Sequence, residues 1–176
     1  MRLPLRDRPI AVIDLETTGL LPEKHEIIEA AILRIDGKEK TLWEAKVRPE
    51  HIETASAKAL EVNGYSPEAW EGAISPAEAV SIIRPMLRGC VLVGHNIQFD
   101  LGFLAEAYRL YSGRGMGFHY KIDTMALAYE HLATLGLDSL SLTSVCSFLG
   151  ISNDGAHTAG ADVMRTHEIY RLLSRS

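Results

Sequence analysis

Asp14 and Glu16 stand two positions apart where an apolar run, Ile10 to Ile13, gives way to a polar turn closed by Gly19. In an extended strand successive side chains alternate faces, so these two carboxylates project to the same side. Two anions held side by side repel, and a cation between them lets both stay ionised. A ligand set made of oxygens suits a hard ion, Mg²⁺ or Mn²⁺, over zinc. Gly19 is expected to supply a turn conformation that other residues resist. Taken alone, Asp-x-Glu describes no more than a strand ending in a solvated acidic turn.

Two further segments carry groups of the same kind. Asp100 follows Gly94-His95-Asn96, and His157 precedes Asp162. Four carboxylates and one imidazole converging would hold two divalent ions. Two such ions, about 3.5–4 Å apart, clamp the attacking and leaving oxygens of an in-line phosphoryl displacement. A histidine, with an ordinary pKa of about 6.5, can take the proton of the attacking water.

The elements around these residues can be read from the pattern. Three strands come first: the run that ends at Asp14, a second within His25 to Asp36, and a third from Lys40 to Arg48. Asp36-Gly37-Lys38 reads as the tight turn of a hairpin between the last two. Thr54 to Val62 is predicted as a short helix, stopped by Asn63-Gly64. Ser66-Pro67 and Ser75-Pro76 both resemble helix starts, with serine as N-cap and proline in the first turn. The second should run to Leu87. Cys90 to Val93 is a buried strand, and Phe99, Phe103, Ala107 and Leu110 then repeat at helical spacing. Asp100 thus falls in the first turn of a helix leaving a sheet edge, where α/β proteins place their sites. Tyr120 to Thr124 reads as a short strand, with Asp123 or Thr124 capping a helix through Leu132. Ser141 to Leu149 makes another helix, stopped at Gly150, and the final helix ends near Leu173. The order predicts one α/β domain spanning 1–176, with a mixed central sheet flanked by helices. Residues 1–8 are read as a flexible N-terminal extension, so Arg2, Arg6 and Arg8 read as a frayed, solvated end ahead of the alternative, an extension of a binding path.

Composition narrows the function classes. The chain has 176 residues and a formal net charge of -5, so no general basic field draws nucleic acid. Any such binding must be local. Cys90 and Cys146 sit in apolar runs and read as reduced core thiols. No apolar run approaches the roughly 18 residues of a membrane span, and the N-terminus lacks the apolar core of a signal peptide. A cytoplasmic location, with no membrane partner, is expected.

The segments Asp14-Leu15-Glu16-Thr17-Thr18-Gly19, Gly94-His95-Asn96 through Phe99-Asp100, and His157 with Asp162 resemble, in order and spacing, the three motifs of the DEDDh, or DnaQ-like, 3′–5′ exonucleases. They are similar to the proofreading exonuclease domain of bacterial DNA polymerase III. The resemblance runs from Pro9 to about Leu173, and the weaker Ala59 to Gly64 and Ile122 to Thr124 pieces share it. It implies a ribonuclease H-like fold and two divalent ions, Mg²⁺ or Mn²⁺. Asp14, Glu16 and Asp162 would hold the ion that carries the attacking water. Asp14 would bridge to the second, with Asp100 helping through water, and His157 would be the general base. Thr17, Thr18 and Gly19 would lie against the terminal nucleotide and its free 3′-hydroxyl, and Leu20 would wedge beside the last base. The implied product is a nucleoside 5′-monophosphate.

Other residues are divided between duties. His95 and Asn96 either cap the following helix or support the substrate site. Phe103 belongs to the core but stands as a candidate border of the nucleotide groove. Arg165, on the same helix face as Asp162, is read as a surface arginine or as a phosphate contact further along the strand. Trp43 and Trp70 read as packing residues. Two departures leave the required groups in place: Thr-Ala-Gly-Ala between His157 and Asp162, and Leu15 where some proofreading members carry threonine. The chain ends at Ser176, where proofreading subunits usually continue into a polymerase-binding tail, which argues against a subunit role. A polymerase or repair partner and a homodimer both stay open. Single-stranded 3′ ends, DNA ahead of RNA, are the expected substrate. The alternatives are a 3′–5′ exoribonuclease of the ribonuclease T or oligoribonuclease type, a catalytically idle nucleic-acid-binding module, and an unrelated hydrolase of small phosphoesters.

Overall fold

The computed structural model describes residues 4–113, 115, 117–155 and 158–174. The strands are β1 (Ile10–Thr17), β2 (Ile27–Asp36), β3 (Glu39–Lys46), β4 (Val91–Gly94) and β5 (Lys121–Asp123). The α-helices are α1 (Ala57–Val62), α2 (Pro76–Leu87), α3 (Ile97–Tyr111), α4 (Thr124–Leu132), α5 (Leu142–Leu149) and α6 (Ala159–Leu173). The strands form one sheet in the order β3-β2-β1-β4-β5. β1 pairs antiparallel with β2 and parallel with β4; β2–β3 is antiparallel and β4–β5 parallel. This is the mixed, helix-flanked sheet the sequence predicts.

Alternation along β1 builds a core on both faces. Ala11, Ile13 and Leu15 pack with Ile83 of α2 and Leu101 and Leu104 of α3. Val12 faces the other way, with Ala31, Leu33 and Val93, against Ala159 and Val163 of α6. Burying one such aliphatic side chain contributes about 1.5–3 kcal/mol, so shifting β1 by one residue would sacrifice several of these contacts at once. Register therefore commits Asp14 and Glu16 to the α6 face. Cys90 and Cys146 are free, buried thiols, and Trp70 is buried with its indole N–H donated to the Ile28 carbonyl at 2.7 Å. Among the described residues no helix is long and apolar enough to cross a membrane.

The caps at Ser75 and Asp123 form as predicted, and Ser141 caps α5 as well, each side chain accepting a backbone N–H of the first turn. Three details differ. Ser66-Pro67 opens a run of turns instead of a helix, because the buried Trp70 is drawn back under β2. The Thr54–Val62 helix is divided into a 3-10 turn, Ile52–Thr54, and the short α1. The backbone between them is diverted: Ser56 N–H donates to the Thr18 carbonyl at 2.7 Å. In α3 the inward stripe is Ile97, Leu101, Leu104 and Tyr108, with Phe103 beside it, while Leu110 is exposed.

Candidate metal centre

Asp14 and Glu16 leave the last turns of β1 on one face, and Asp162 enters opposite them from the first turn of α6. One carboxylate oxygen from each of the three lies within 4.8 Å of the other two. The start of α6 is set by Thr158, whose hydroxyl accepts the Ala161 N–H. Gly160 faces the exposed carboxylate end of Glu44 on β3, a flexible group that can swing aside.

Asp100 arrives from the other side. β1 pairs with β4 only over Ile10 to Val12, so beyond that point the edge of β1 has lost its parallel partner. Asp100, buried in the first turn of α3, takes over: its Oδ1 accepts the Leu15 N–H at 3.0 Å. Asp100 thus stands next to the acidic trio while lying outside the tight cluster of three.

The electrostatics follow from this crowding. The Asp14 carboxyl is pushed well above the usual range, by burial first and then by the charges of Asp100, Asp162 and Glu16. Glu16 is raised to about 7 by burial, Asp162 and Glu29. Burial also raises Asp100, although the Leu15 N–H opposes it. A hard cation is the group this donor set fits: it would replace mutual repulsion with attraction, and every available ligand atom is a carboxylate oxygen.

The remaining predicted residues fall in different places. Thr17 and Thr18 are buried, the Thr17 hydroxyl donating to the Gly19 carbonyl at 2.6 Å and the Thr18 hydroxyl accepting the Glu26 N–H at 2.9 Å. Gly19 is required for space and not for turn conformation. It is absent from the positive-φ positions, but an added Cβ would stand 2.5 Å from the His25 ring. Leu20 projects into solvent, 77 % exposed, beside the site. His95 is half-buried, its ring held between the Thr124 hydroxyl at 2.9 Å and the Leu140 carbonyl at 2.7 Å. Burial lowers its pKa. Asn96 is exposed and takes the left-handed conformation (φ 62°), with no capping bond from its side chain; its N–H donates to Asp123 Oδ1 at 3.0 Å.

Phe103 is 2 % exposed and packs in the core under β1, with Phe99 5.0 Å away centroid to centroid, and it also lines a cleft between the segment 22–27 and α3. One expectation is corrected. Arg165 is buried, neither a surface arginine nor free to reach a phosphate. One of its nitrogens pairs with Asp162 Oδ1 and another donates to Asn153 Oδ1 at 2.8 Å. Its helical spacing from Asp162 lets it serve as the carboxylate's counter-ion. His157, expected as general base, lies outside the described residues.

Other residues joined to the site were not singled out. Asn63 donates its side-chain amide to the Thr17 carbonyl at 2.9 Å, tying the end of α1 to the turn after β1. His25 accepts the Leu21 N–H at 3.0 Å and closes over Gly19. Glu29 pairs across from Glu16 in β2 and accepts the Ala159 N–H, adding a further carboxylate, besides Asp100, next to the trio. Asn63 sits within the Ala59–Gly64 piece that carried the weaker resemblance.

The chain matches the family described as Exonuclease over residues 11–170. It belongs to the exonuclease family. Exonuclease relatives by sequence include the PolC-type DNA polymerase III of Thermotoga maritima, 33% identical over 168 residues, which cover 93% of this chain and 12% of that protein. The DNA polymerase III subunit epsilon of Aquifex aeolicus is 28% identical over 176 residues, 97% of this chain and 82% of that subunit. The chain thus spans about one eighth of the PolC-type relative. Among solved structures, E. coli Exonuclease I in complex with a dT13 oligonucleotide superposes with a TM-score of 0.78 at 18% identity. The match covers 94% of this chain and 41% of that one, and it shows that the exonuclease fold is shared. The ribonuclease H-like architecture and the DnaQ-like resemblance of the sequence both hold.

Proposed function

We propose that this exonuclease-family chain removes nucleoside 5′-monophosphates one at a time from single-stranded or frayed 3′ ends of DNA, by metal-dependent hydrolysis. The observation that carries the proposal is the convergence of Asp14, Glu16 and Asp162 within 4.8 Å at the end of β1. Asp14, Glu16 and Asp162 would hold the divalent ions, Mg²⁺ or Mn²⁺, with Asp14 shared and Asp100 assisting. Ions held there would supply Lewis acidity to a phosphodiester and neutralise charge in its transition state.

The chain's own residues supply position. Asp100 fixes the end of β1, so the Asp14 and Glu16 carboxylates are aimed before substrate arrives. The Thr17–Gly19 backbone, braced by Thr18, Asn63 and His25, presents a rigid edge to the terminal nucleotide. Leu20, exposed beside it, packs against the last base. His157 takes the proton of the attacking water.

Support for DNA comes from the relatives. The similar polymerases are named as DNA polymerases, and the Exonuclease I structures were solved with dT13 and dA16 oligonucleotides. A polymerase or repair partner and a cytoplasmic location accompany this reading. The test is product analysis with matched DNA and RNA oligonucleotides in Mg²⁺. Nucleoside 5′-monophosphates released faster from DNA are expected. Faster release from RNA would overturn the DNA assignment, and nucleoside 3′-monophosphates would overturn the chemistry.

A further inference from the structure

The metal centre lies at the C-terminal ends of β1 and β4. At the opposite end of the same sheet is a second concavity, about 630 Å³ in volume, between the C-terminus of α2, the start of β4 and the segment leading into β5. Arg8, Arg84, Arg88 and His119 line it, together with Phe118 and Tyr120, and no acidic residue does. In a chain of net charge -5 this is a marked separation of charge.

The arginines are not spent on ion pairs. Among the described residues no carboxylate pairs with Arg8, Arg84 or Arg88. Arg8 lies over the Tyr120 ring, 4.6 Å from its centroid. Arg84 donates to the Ser112 hydroxyl at 3.3 Å and sits 5.9 Å from the centre of the Tyr108 ring. Both are therefore oriented by aromatic and hydroxyl neighbours while their charge stays uncompensated. Arg88 is exposed at the rim.

We propose that this concavity is a second nucleotide-binding site, which grips phosphate groups with Arg8, Arg84 and Arg88 and seats the attached base against Tyr120. Planar guanidinium groups match phosphate oxygens two at a time. Arginine interleaved with aromatic rings is the arrangement that holds nucleotides without regard to sequence. An acidic peptide would find the charge but not the use for the rings. The volume suits one nucleotide unit, and that unit can come from a nucleic acid strand or from a free nucleotide. The site is remote from the acidic trio, so it operates whether or not the catalytic reading holds.

The test uses the full chain in EDTA, where no cleavage is expected. Binding of a 5′-labelled single-stranded DNA oligonucleotide is followed by fluorescence anisotropy across a salt series, and binding of a nucleoside 5′-monophosphate by calorimetry. Replacing Arg8 and Arg88 together by alanine should weaken at least one probe about tenfold. For the oligonucleotide, losing two phosphate contacts lowers the salt slope by about 1.4. Arg88→Glu, a change at an exposed position, should weaken binding further than Arg88→Ala. Loss for the oligonucleotide alone assigns the strand as source; loss for both assigns any nucleotide. Unchanged affinity for both probes overturns the proposal. So does tighter binding of a polyglutamate peptide than of either probe, which would assign the pocket to an acidic protein segment. Because all arms are read without metal, failure here leaves the exonuclease reading untouched, and an inactive enzyme leaves this one untouched.

Discussion

The carboxylate of Asp100 accepts the backbone N–H of Leu15 at 3.0 Å, joining the first turn of α3 to the strand that carries Asp14 and Glu16. One side chain thus substitutes for the strand partner that β4 no longer provides. It also places a negative charge beside Asp14. Asparagine can keep the hydrogen bond through its carbonyl oxygen but not the charge. Asp100→Asn should therefore fold, and in EDTA at pH 8 its Tm should equal or exceed that of the parent because repulsion is relieved. Its exonuclease activity should fall at least 100-fold. Asp100→Ala also orphans the buried Leu15 N–H and should cost about 1–3 kcal/mol. Equal thermal stability of the two variants would show that the bond does not anchor β1.

The acidic cluster also dictates how metal-free stability responds to pH. Glu16 is held near 7 in the folded chain, against about 4.3 in an unfolded one. A carboxyl with the higher value when folded binds more protons folded than unfolded. Its stabilising contribution is complete below about pH 4 and is lost as the pH rises to about 7. Asp14 and Asp100 are shifted in the same direction. In EDTA the Tm should fall between pH 5 and pH 8, by about 2–4 °C for each kcal/mol lost. Saturating Mg²⁺ should flatten that fall. Calorimetric melts at both pH values, with and without the ion, check this.

Arg165 and Asp162 form a buried ion pair on one face of α6. Removing one partner of such a pair typically costs about 3–5 kcal/mol, since the other is left uncompensated. Arg165→Met should destabilise the metal-free chain by an amount of that order. Much of the loss should return on adding Mg²⁺, which can compensate Asp162 in place of the guanidinium. An equal loss with and without Mg²⁺ would mean that the pair and the ion do not share the carboxylate.

Gly19 and His25 form a steric pair. A Cβ on residue 19 would sit 2.5 Å from the imidazole, and the same ring accepts the Leu21 N–H. Gly19→Ala should cost about 1–3 kcal/mol through overpacking and raise KM for short oligonucleotides. In a His25→Ala background the cost should shrink by more than half. Additive losses in the double variant would contradict the pairing.

Much of this site was legible in the chain because it rests on local periodicities. Strand alternation puts Asp14 and Glu16 on one face, helical spacing puts Asp100 and Asp162 in first turns, and serine and aspartate caps mark the helix starts. What the sequence concealed depends on which surfaces meet. The need for glycine at position 19 comes from a ring six residues later and not from a turn angle. Arg165 looks like any solvent-facing arginine until α6 is seated on the sheet. Ser66-Pro67 has good helix-start chemistry, and the tertiary burial of Trp70 overrides it.

The central claim is that the Asp14, Glu16 and Asp162 cluster removes nucleotides from 3′ ends with the help of divalent ions. The most direct measurement is a time course in Mg²⁺ on a 5′-labelled single-stranded DNA oligonucleotide, for the parent chain and for Asp14→Ala. The expected result is a ladder shortening from the 3′ end that vanishes with EDTA and in the folded variant. A ladder that persists in EDTA, or in Asp14→Ala, would contradict the account.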